Sequence, residues 1–245
     1  MEGRASKPLY LFAGGQRSDP EALRQLLRTV FTESGVLAPV VAYIGAANRD
    51  DDSFFQRVAA RFTNAGARAV TQVLLCAPTA DLVAAQTLLA SADLVFVSGG
   101  DVAEGMRVLR QKQMIPFLRR LFEGGVPFFG ISAGSIMLAK QWVCWSNPAD
   151  DSTATLFPCL GFAPILCDTH GEDDDWNELQ VALSLTRDDA VGYGIVSGTA
   201  LTVYPNGKVE ALGHPIHRYA RRKDRILRVS NLLPMAGQSL TRYGR

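Results

Sequence analysis

The stretch VPFFGISAGSIMLAK, residues 126–140, decides the fold of this chain. Its first four residues, 126–129, are apolar, which is typical of a buried strand. A tight turn centred on Ser132 follows, with Gly130 and Gly134 two residues to either side of the serine. Apolar residues at helical spacing come after the turn. The stretch therefore predicts a strand, a sharp turn and a helix, the context of the G-x-S-x-G nucleophile elbow.

The geometry of an elbow explains these residue types. At a strained strand-to-helix turn a side chain projects above the edge of the sheet, and only glycine lets neighbouring backbone approach closely. The helix that follows directs its first N–H groups towards the place where an oxyanion forms during acyl transfer. We interpret Ser132 as a candidate nucleophile; the alternative is an ordinary turn of an α/β protein.

Before the elbow, short apolar runs alternate with helical patterns. The strand candidates lie at residues 9–13, 40–44, 69–75 and 94–97, and helical patterns follow the first three. These runs are apolar almost throughout, as expected for strands that are buried on both faces. The order predicts an α/β three-layer sandwich with a mostly parallel sheet.

After the elbow the pattern changes. Residues 141–164 are irregular and rich in Trp and Pro, and short C-terminal strand candidates follow at 192–196, 200–204 and 208–212. No internal repeat or long linker interrupts the chain. We therefore expect one domain, residues 1–245, with a basic tail from about residue 214.

The composition describes a globular protein without a strong overall field. The 245 residues are 47% hydrophobic and 20% charged, and the formal net charge is +1, so nucleic acid is not an expected partner. The charge is uneven, because residues 218–245 contain eight Lys or Arg and one acid. This basic segment can bind an acidic partner, although a solvated face is the commoner explanation.

Compartment and cofactor signals are weak. The four cysteines have no C-x-x-C spacing or disulfide framework, which suits a reducing compartment and a role in the core. No apolar run is long enough for a membrane helix, and the N-terminal residues lack a signal-peptide pattern. We expect a cytoplasmic protein with no cofactor and no metal site.

A histidine downstream of the elbow supplies a candidate base. Ligands of parallel sheets gather at the carboxyl ends of the strands, where Gly99, Gly100 and Ser132 fall. A serine hydroxyl is hardly ionised at neutral pH and needs a base. His170 follows Asp168 and precedes a glycine, in a loop from which it can approach Ser132. The alternative for His170 is a loop histidine that only forms hydrogen bonds.

Five motifs in this order resemble the peptidase E and cyanophycinase family of serine peptidases. They are VFVSGGD at 95–101, GISAGS at 130–135, Asp168-Thr169-His170, GIVSGTALTV at 194–203 and KVEALG at 208–213. The resemblance covers most of residues 8–213 and implies a flavodoxin-like fold of the class I glutamine amidotransferase type. It also implies that Ser132 is the nucleophile, that His170 is the base, and that N–H groups near Gly100 and Ala133 form the oxyanion hole.

One departure from the family affects the third member of the triad. The family typically has an acid where this chain has Ser197, and losing the group that orients the histidine can cost several orders of magnitude in rate. Asp168, two residues before His170, can take that role if the segment is extended, and so can one of the acids at 173–175. Ser197 itself can only form a hydrogen bond to the imidazole, without charge.

A second departure affects the substrate. The family usually has arginines after the histidine, whereas this chain has acids at 172–175. These acids can favour a cationic substrate group, or they can cap a helix through Asp175-x-x-Glu178. Asp101 has the same two interpretations, through Asp101-x-x-Glu104. Gly99, Asp101 and Asp173 are the candidate substrate-binding residues.

The sequence thus leaves two main hypotheses open. The first is a serine peptidase that cleaves aspartyl or β-aspartyl bonds of a small peptide substrate, as the resemblance implies. The second is a family member that has lost catalysis and acts as a small-molecule-binding or regulatory module, because Ser197 replaces the acid. An esterase of the α/β-hydrolase type is a weaker third, since that fold usually places its histidine last. Self-association as a homodimer is a further expectation.

Overall fold

The computed structural model describes residues 7–14, 19–147, 149–187 and 189–234. The strands in these residues are β1 (Leu9–Phe12), β2 (Val40–Ile44), β3 (Ala69–Val73), β4 (Leu94–Val97), β5 (Phe128–Ile131), β6 (Gln141–Trp145), β7 (Ala154–Pro158), β8 (Leu166–Thr169), β9 (Ala190–Ile195), β10 (Ala200–Val203), β11 (Val209–Leu212), β12 (Ile216–Arg222) and β13 (Arg225–Leu232). The α-helices are α1 (Pro20–Ser34), α2 (Asp52–Ala65), α3 (Leu82–Ser91), α4 (Val102–Gln111), α5 (Ile115–Glu123), α6 (Ala133–Leu138) and α7 (Asn177–Ser184).

A seven-stranded sheet forms the middle layer, in the order β11-β10-β1-β5-β4-β2-β3. The five strands from β1 to β3 in this order are parallel, and β10 and β11 extend the sheet as antiparallel strands. Because the side-chain period of a strand is two, Leu9 and Leu11 pack into one apolar layer while Tyr10 and Phe12 pack into the other. The predicted three-layer sandwich with a mostly parallel sheet is confirmed.

The two outer layers bury different kinds of side chain. Helices α1 and α2 cover one face, where four aromatic rings interlock with centroid separations of 4.8 to 6.3 Å. These rings belong to Phe31, Phe62, Phe96 and Phe129. Helices α3 to α6 cover the other face with mainly aliphatic side chains. Phe129 in β5 lies three residues before Ser132, so this aromatic layer supports the strand that carries the elbow.

A second sheet, which the sequence does not predict, has the order β13-β12-β9-β8. Strands β8 and β9 are parallel neighbours, with Thr169 opposite Ile195. Their carboxyl ends therefore lie side by side, and the loops that carry His170 and Ser197 leave the sheet at the same place. Helix α7 packs on this sheet, and β6 and β7 form a separate hairpin.

The segment interpreted as a basic tail forms strands β12 and β13 as far as it is described. These strands pair with each other and with β9, so the segment is part of the second sheet rather than an appendage. The tail residues 235–245 lie outside the described residues. No α-helix in the described ranges combines the length and hydropathy required to cross a bilayer.

Candidate active site

Ser132 lies at a sharp turn between β5 and α6. Its backbone has φ 54° and ψ −125°, which is a strained conformation for a serine. A Cβ at Gly134 would lie 2.0 Å from the Val97 carbonyl oxygen, and one at Gly130 would lie 2.6 Å from the Gly134 carbonyl carbon. The backbone therefore passes as closely as the sequence predicts, and both glycines are required by packing.

The loop after β4 lies against the elbow. A Cβ at Gly99 would lie 3.2 Å from the Ser132 Cβ. Gly100 has φ 144°, and a Cβ at this residue would lie 2.1 Å from the Ala47 carbonyl oxygen. The Asp101 N–H donates a hydrogen bond of 2.8 Å to the same oxygen. Gly100 and Ala133 both line the cleft that contains Ser132. The two predicted oxyanion residues are thus in the wall of one cleft.

His170 lies across the same cleft, directly after β8. Its Nδ1 is 3.3 Å from the Ser197 hydroxyl oxygen. Burial lowers the pKa of His170, while the Glu172 charge and a hydrogen bond to the Ala13 backbone act in the opposite direction. No hydrogen bond joins Ser132 to His170 within the described residues. Such bonds often form only when substrate binds, so the position of both residues in one cleft is compatible with a nucleophile and its base.

The expectation that Asp168 orients His170 is not met by the geometry. Asp168 also lines the cleft, but its carboxylate accepts hydrogen bonds from the backbone of Thr169, at 2.6 Å, and of Leu179. Residues i and i+2 share a side only along an extended strand, and His170 has φ 68°. The chain therefore leaves the extended conformation at His170, and within the described residues no hydrogen bond joins the Asp168 carboxyl group to the imidazole. Burial also raises the pKa of Asp168 to about 8, which disfavours a fixed charge there.

Ser197 contacts the imidazole instead, and Glu172 contacts Ser197. The Ser197 N–H donates a hydrogen bond of 2.6 Å to Glu172 Oε1, and the Ser197 side chain also lowers the pKa of the Glu172 carboxyl group. Sequence reasoning considered Ser197 as a hydrogen-bond partner of His170 but did not select Glu172. The available signal was the position of Glu172, two residues after the histidine, at the start of the acidic run.

The other acids after His170 have structural roles. The Asp174 carboxylate accepts the Trp176 N–H, and that of Asp175 accepts the Tyr219 hydroxyl at 2.6 Å. The predicted capping box from Asp175 is wrong. The N-cap residue of α7 is Trp176, whose backbone has the left-handed conformation, and no side chain caps the helix. Asp173 is exposed and is not among the residues that line the cleft. The prediction that it binds substrate therefore has no support from its position.

The cleft has a volume of about 490 Å³ and an aromatic, acidic lining. Trp142, Trp145 and Phe157 of the β6–β7 hairpin form one wall. Asp101, Asp168 and Glu178 supply carboxyl groups, and no lysine or arginine is among the described residues of the lining. Asp101 also caps α4, since it accepts the Glu104 N–H at 2.7 Å as predicted. Within the described residues no group of His, Cys, Asp and Glu is arranged to hold a metal ion.

A serine at a strand-to-helix elbow, at the carboxyl edge of a parallel sheet, is typical of α/β proteins that use the serine as a nucleophile. Ser132 and its cleft have this arrangement. Comparison with known families identifies the particular one. The family model of Peptidase family S51 matches residues 9–210. The chain belongs to this family, and the resemblance to peptidase E and cyanophycinase that its motifs carry is confirmed.

Individual relatives are distant. Cyanophycinases from Synechococcus elongatus and Thermosynechococcus vestitus are each 28% identical to it over 214 residues, which are 84% of this chain and 66% of each cyanophycinase. The crystal structure of a peptidase from an acI-B1 actinobacterium superposes with a TM-score of 0.70, at 16% identity, over 93% of this chain and 98% of the other. The crystal structure of a Listeria monocytogenes protein provisionally assigned to peptidase E superposes with a TM-score of 0.60, at 14% identity, over 84% of this chain and 98% of the other. The two structures support the fold.

Proposed function

We propose that this protein is a serine-type peptidase that cleaves an aspartyl or β-aspartyl bond in a small peptide. The observation that carries the proposal is the strained elbow at Ser132 with His170 in the wall of the same cleft. Membership of a peptidase family supports the proposal.

In the proposed mechanism, Ser132 Oγ attacks the peptide carbonyl carbon while His170 takes the hydroxyl proton. The carbonyl oxygen gains negative charge, which the N–H groups of Gly100 and Ala133 stabilise. His170 then protonates the leaving amine, and the C–N bond breaks to give an ester on Ser132. Water, activated by His170, hydrolyses this ester and restores the serine. The low pKa of His170 keeps the imidazole neutral at pH 7, as a base must be.

The lining of the cleft favours one of the two substrate types. A free aspartyl side chain would bring a carboxylate into a cleft that already contains Asp101 and Glu178. A β-aspartyl-arginine bond uses that carboxyl group in the amide link but leaves the α-carboxyl group of the aspartate free, so it removes no carboxylate. What it adds is a guanidinium group, which acids and aromatic rings both bind. We therefore infer that the substrate carries a cationic group, in keeping with the name of the cyanophycinases that this chain resembles.

A fluorophosphonate probe for activated serines tests the proposal. Native protein should be labelled, and Ser132→Ala and His170→Ala should not be labelled although they remain folded by circular dichroism. Ser91→Ala, which removes an exposed helix serine, is the control and should keep native labelling. The same proteins are then offered β-aspartyl-arginine, β-aspartyl-leucine and aspartyl dipeptides, of which the first should have the highest kcat/KM.

Two outcomes would overturn parts of this proposal. Equal kcat/KM values for the arginine and leucine peptides would remove the preference for a cation. A folded native protein that is neither labelled nor able to cleave any of the peptides would contradict the peptidase. That result would favour the binding-module hypothesis, which the serine at position 197 motivates.

A further inference from the structure

Two polar residues, Ser197 and Glu172, lie next to the proposed base His170. His170 Nδ1 is 3.3 Å from Ser197 Oγ, and the Ser197 N–H donates a hydrogen bond of 2.6 Å to the half-buried Glu172. The Ser197 side chain also lowers the pKa of the Glu172 carboxyl group. The topology explains the arrangement, because β8 and β9 end side by side and their loops meet at this point. The carboxylate of Glu172 and the imidazole of His170 are thus both held against Ser197.

The inventory of donors and acceptors says what a series from Glu172 through the Ser197 hydroxyl to the imidazole would require. An ionised carboxylate can only accept hydrogen bonds, and a hydroxyl has one hydrogen to donate. If the Ser197 hydroxyl donates to Glu172, its oxygen is left to accept from His170 Nδ1, which must then carry a proton. The neutral ring consequently has its basic lone pair on Nε2. A histidine that acts as a general base needs this tautomer: the protonated Nδ1 is held by a hydrogen bond, and the unprotonated Nε2 takes the proton of the nucleophile.

The electrostatics agree with the geometry. Burial raises the pKa of Glu172, but hydrogen bonds from Ser197 and the charge of His170 outweigh it, so the pKa of Glu172 lies below its usual value. Glu172 is therefore ionised at neutral pH. Its charge in turn raises the pKa of His170 against the effect of burial. A negative charge placed here stabilises the imidazolium that forms during acyl transfer.

We propose that Glu172 is the positioning carboxylate of this site and that it acts on His170 through the Ser197 hydroxyl. The role of His170 as base rests on the proposed function, whereas the hydrogen-bond series and its effect on the imidazole do not. Ser197 thus bridges to an acid supplied from the loop after β8, and the serine at this position does not by itself make the site inactive.

Nuclear magnetic resonance of the imidazole nitrogens tests the series without requiring activity. In the native protein, neutral His170 should be protonated on Nδ1. Glu172→Gln should lower the pKa of His170 and mix the two tautomers, and Ser197→Ala should also lose the Nδ1 preference. His170→Gln assigns the signals. His217, whose pKa the Glu172 charge also raises, should respond to Glu172→Gln but not to Ser197→Ala. An unchanged tautomer and pKa of His170 in Glu172→Gln would overturn the proposal.

Kinetics with the best peptide of the panel add a second readout. Glu172→Gln should lower kcat on the order of 10- to 100-fold with little change in KM, since a charge-assisted hydrogen bond is lost. Adding Ser197→Ala should cause little further loss, because both substitutions break the same series. Ser197→Asp in the Glu172→Gln background should restore part of the rate by placing a carboxylate against the ring.

A matched control separates the series from a general effect of neutralising an acid. The Asp93 carboxylate also accepts a backbone N–H, from Val40 at 2.8 Å, but precedes β4 and so lies at the opposite edge of the central sheet. Asp93→Asn should keep native kcat and the native His170 spectrum. Native kcat in Glu172→Gln would overturn the proposal while leaving the peptidase intact. A native protein without activity but with the expected spectra would contradict the peptidase and leave the series intact.

Discussion

Asp168 holds a carboxyl group in an environment that disfavours its charge. Only 5% of the residue is exposed, and burial raises its pKa to about 8. The pKa of an unfolded aspartate is about 4, so the folded protein binds the extra proton between about pH 4 and pH 8. The contribution of Asp168 to the free energy of unfolding is therefore full below about pH 4 and is lost as the pH rises towards 8.

Asp168→Asn removes this titration with little change in size. Between about pH 5 and pH 9 the free energy of unfolding of the native protein should fall relative to that of the variant, by on the order of 5 kcal/mol. Urea unfolding across this range measures the difference. Asp224→Asn, in the exposed turn between β12 and β13, should keep the native pH dependence. Parallel curves for native protein and Asp168→Asn would show that Asp168 titrates normally.

At this scale the sequence predicts what local spacing determines. Ser132 and its flanking glycines could be predicted because the elbow is a contiguous pattern. His170 followed from the need for a base. Ser197 is one of the partners of the imidazole that the sequence leaves open, and the structure places it there. The contact of Glu172 with Ser197 could not be predicted, because it joins loops that follow two different strands.

Among the elements, the loop from His170 to α7 is held by a buried Trp176. The Trp176 indole is 1% exposed and packs on the backbone of Gly171 and Gly194, where a Cβ would lie 2.7 Å and 2.5 Å from the ring. Gly194 is in β9, so the indole ties the loop that carries the proposed base to the second sheet. This packing, rather than a helix cap, sets the position of His170 and Glu172.

Gly194→Ala should displace the indole and move the loop. Overpacking of this kind costs about 1–3 kcal/mol of stability, and the rate of labelling by the fluorophosphonate probe should fall several-fold because His170 shifts from Ser132. Thermal unfolding and labelling rates measure the two effects. Gly35→Ala is the control: the φ of 81° at Gly35 makes an alanine there strained, but Gly35 ends α1 far from the cleft and meets no atom within 4 Å. It should lower stability only. Native labelling in Gly194→Ala would contradict this role of Trp176.

The elements of the central sheet could be predicted, and those of the second sheet only in part. Strands buried on both faces form continuous apolar runs that stand out in a sequence. Strands β12 and β13 instead carry exposed basic residues, and a register shift between Ile216 and Arg218 breaks the period of two. The sequence therefore indicates a charged tail where the chain forms two strands. Likewise, it cannot show that β9 pairs with β12 rather than with β10, the strand that follows it in sequence.

On the scale of the whole molecule, the two sheets share one apolar core. The cluster that packs one face of the central sheet includes Leu11 and Val97 together with Cys167, Ile195 and Ile216 of the second sheet. The proposed nucleophile is on the first sheet and the proposed base on the second. The geometry of the cleft therefore depends on the packing between the sheets, which favours the single domain that the sequence predicts.

This shared core predicts one cooperative unfolding transition, in which the calorimetric enthalpy equals the van't Hoff enthalpy. Phe96→Ala in the aromatic layer and Leu183→Ala beneath the second sheet each remove a fully buried side chain, at a cost of about 2–5 kcal/mol. Both substitutions should lower the midpoint of the same transition, and probe labelling should disappear at that midpoint. Leu37→Ala, at a fully exposed side chain, should leave the midpoint unchanged. If Leu183→Ala produced an early transition that abolished labelling while Phe96→Ala shifted only a later one, the second sheet would be an independent unit. In that case the base would be lost before the elbow unfolds.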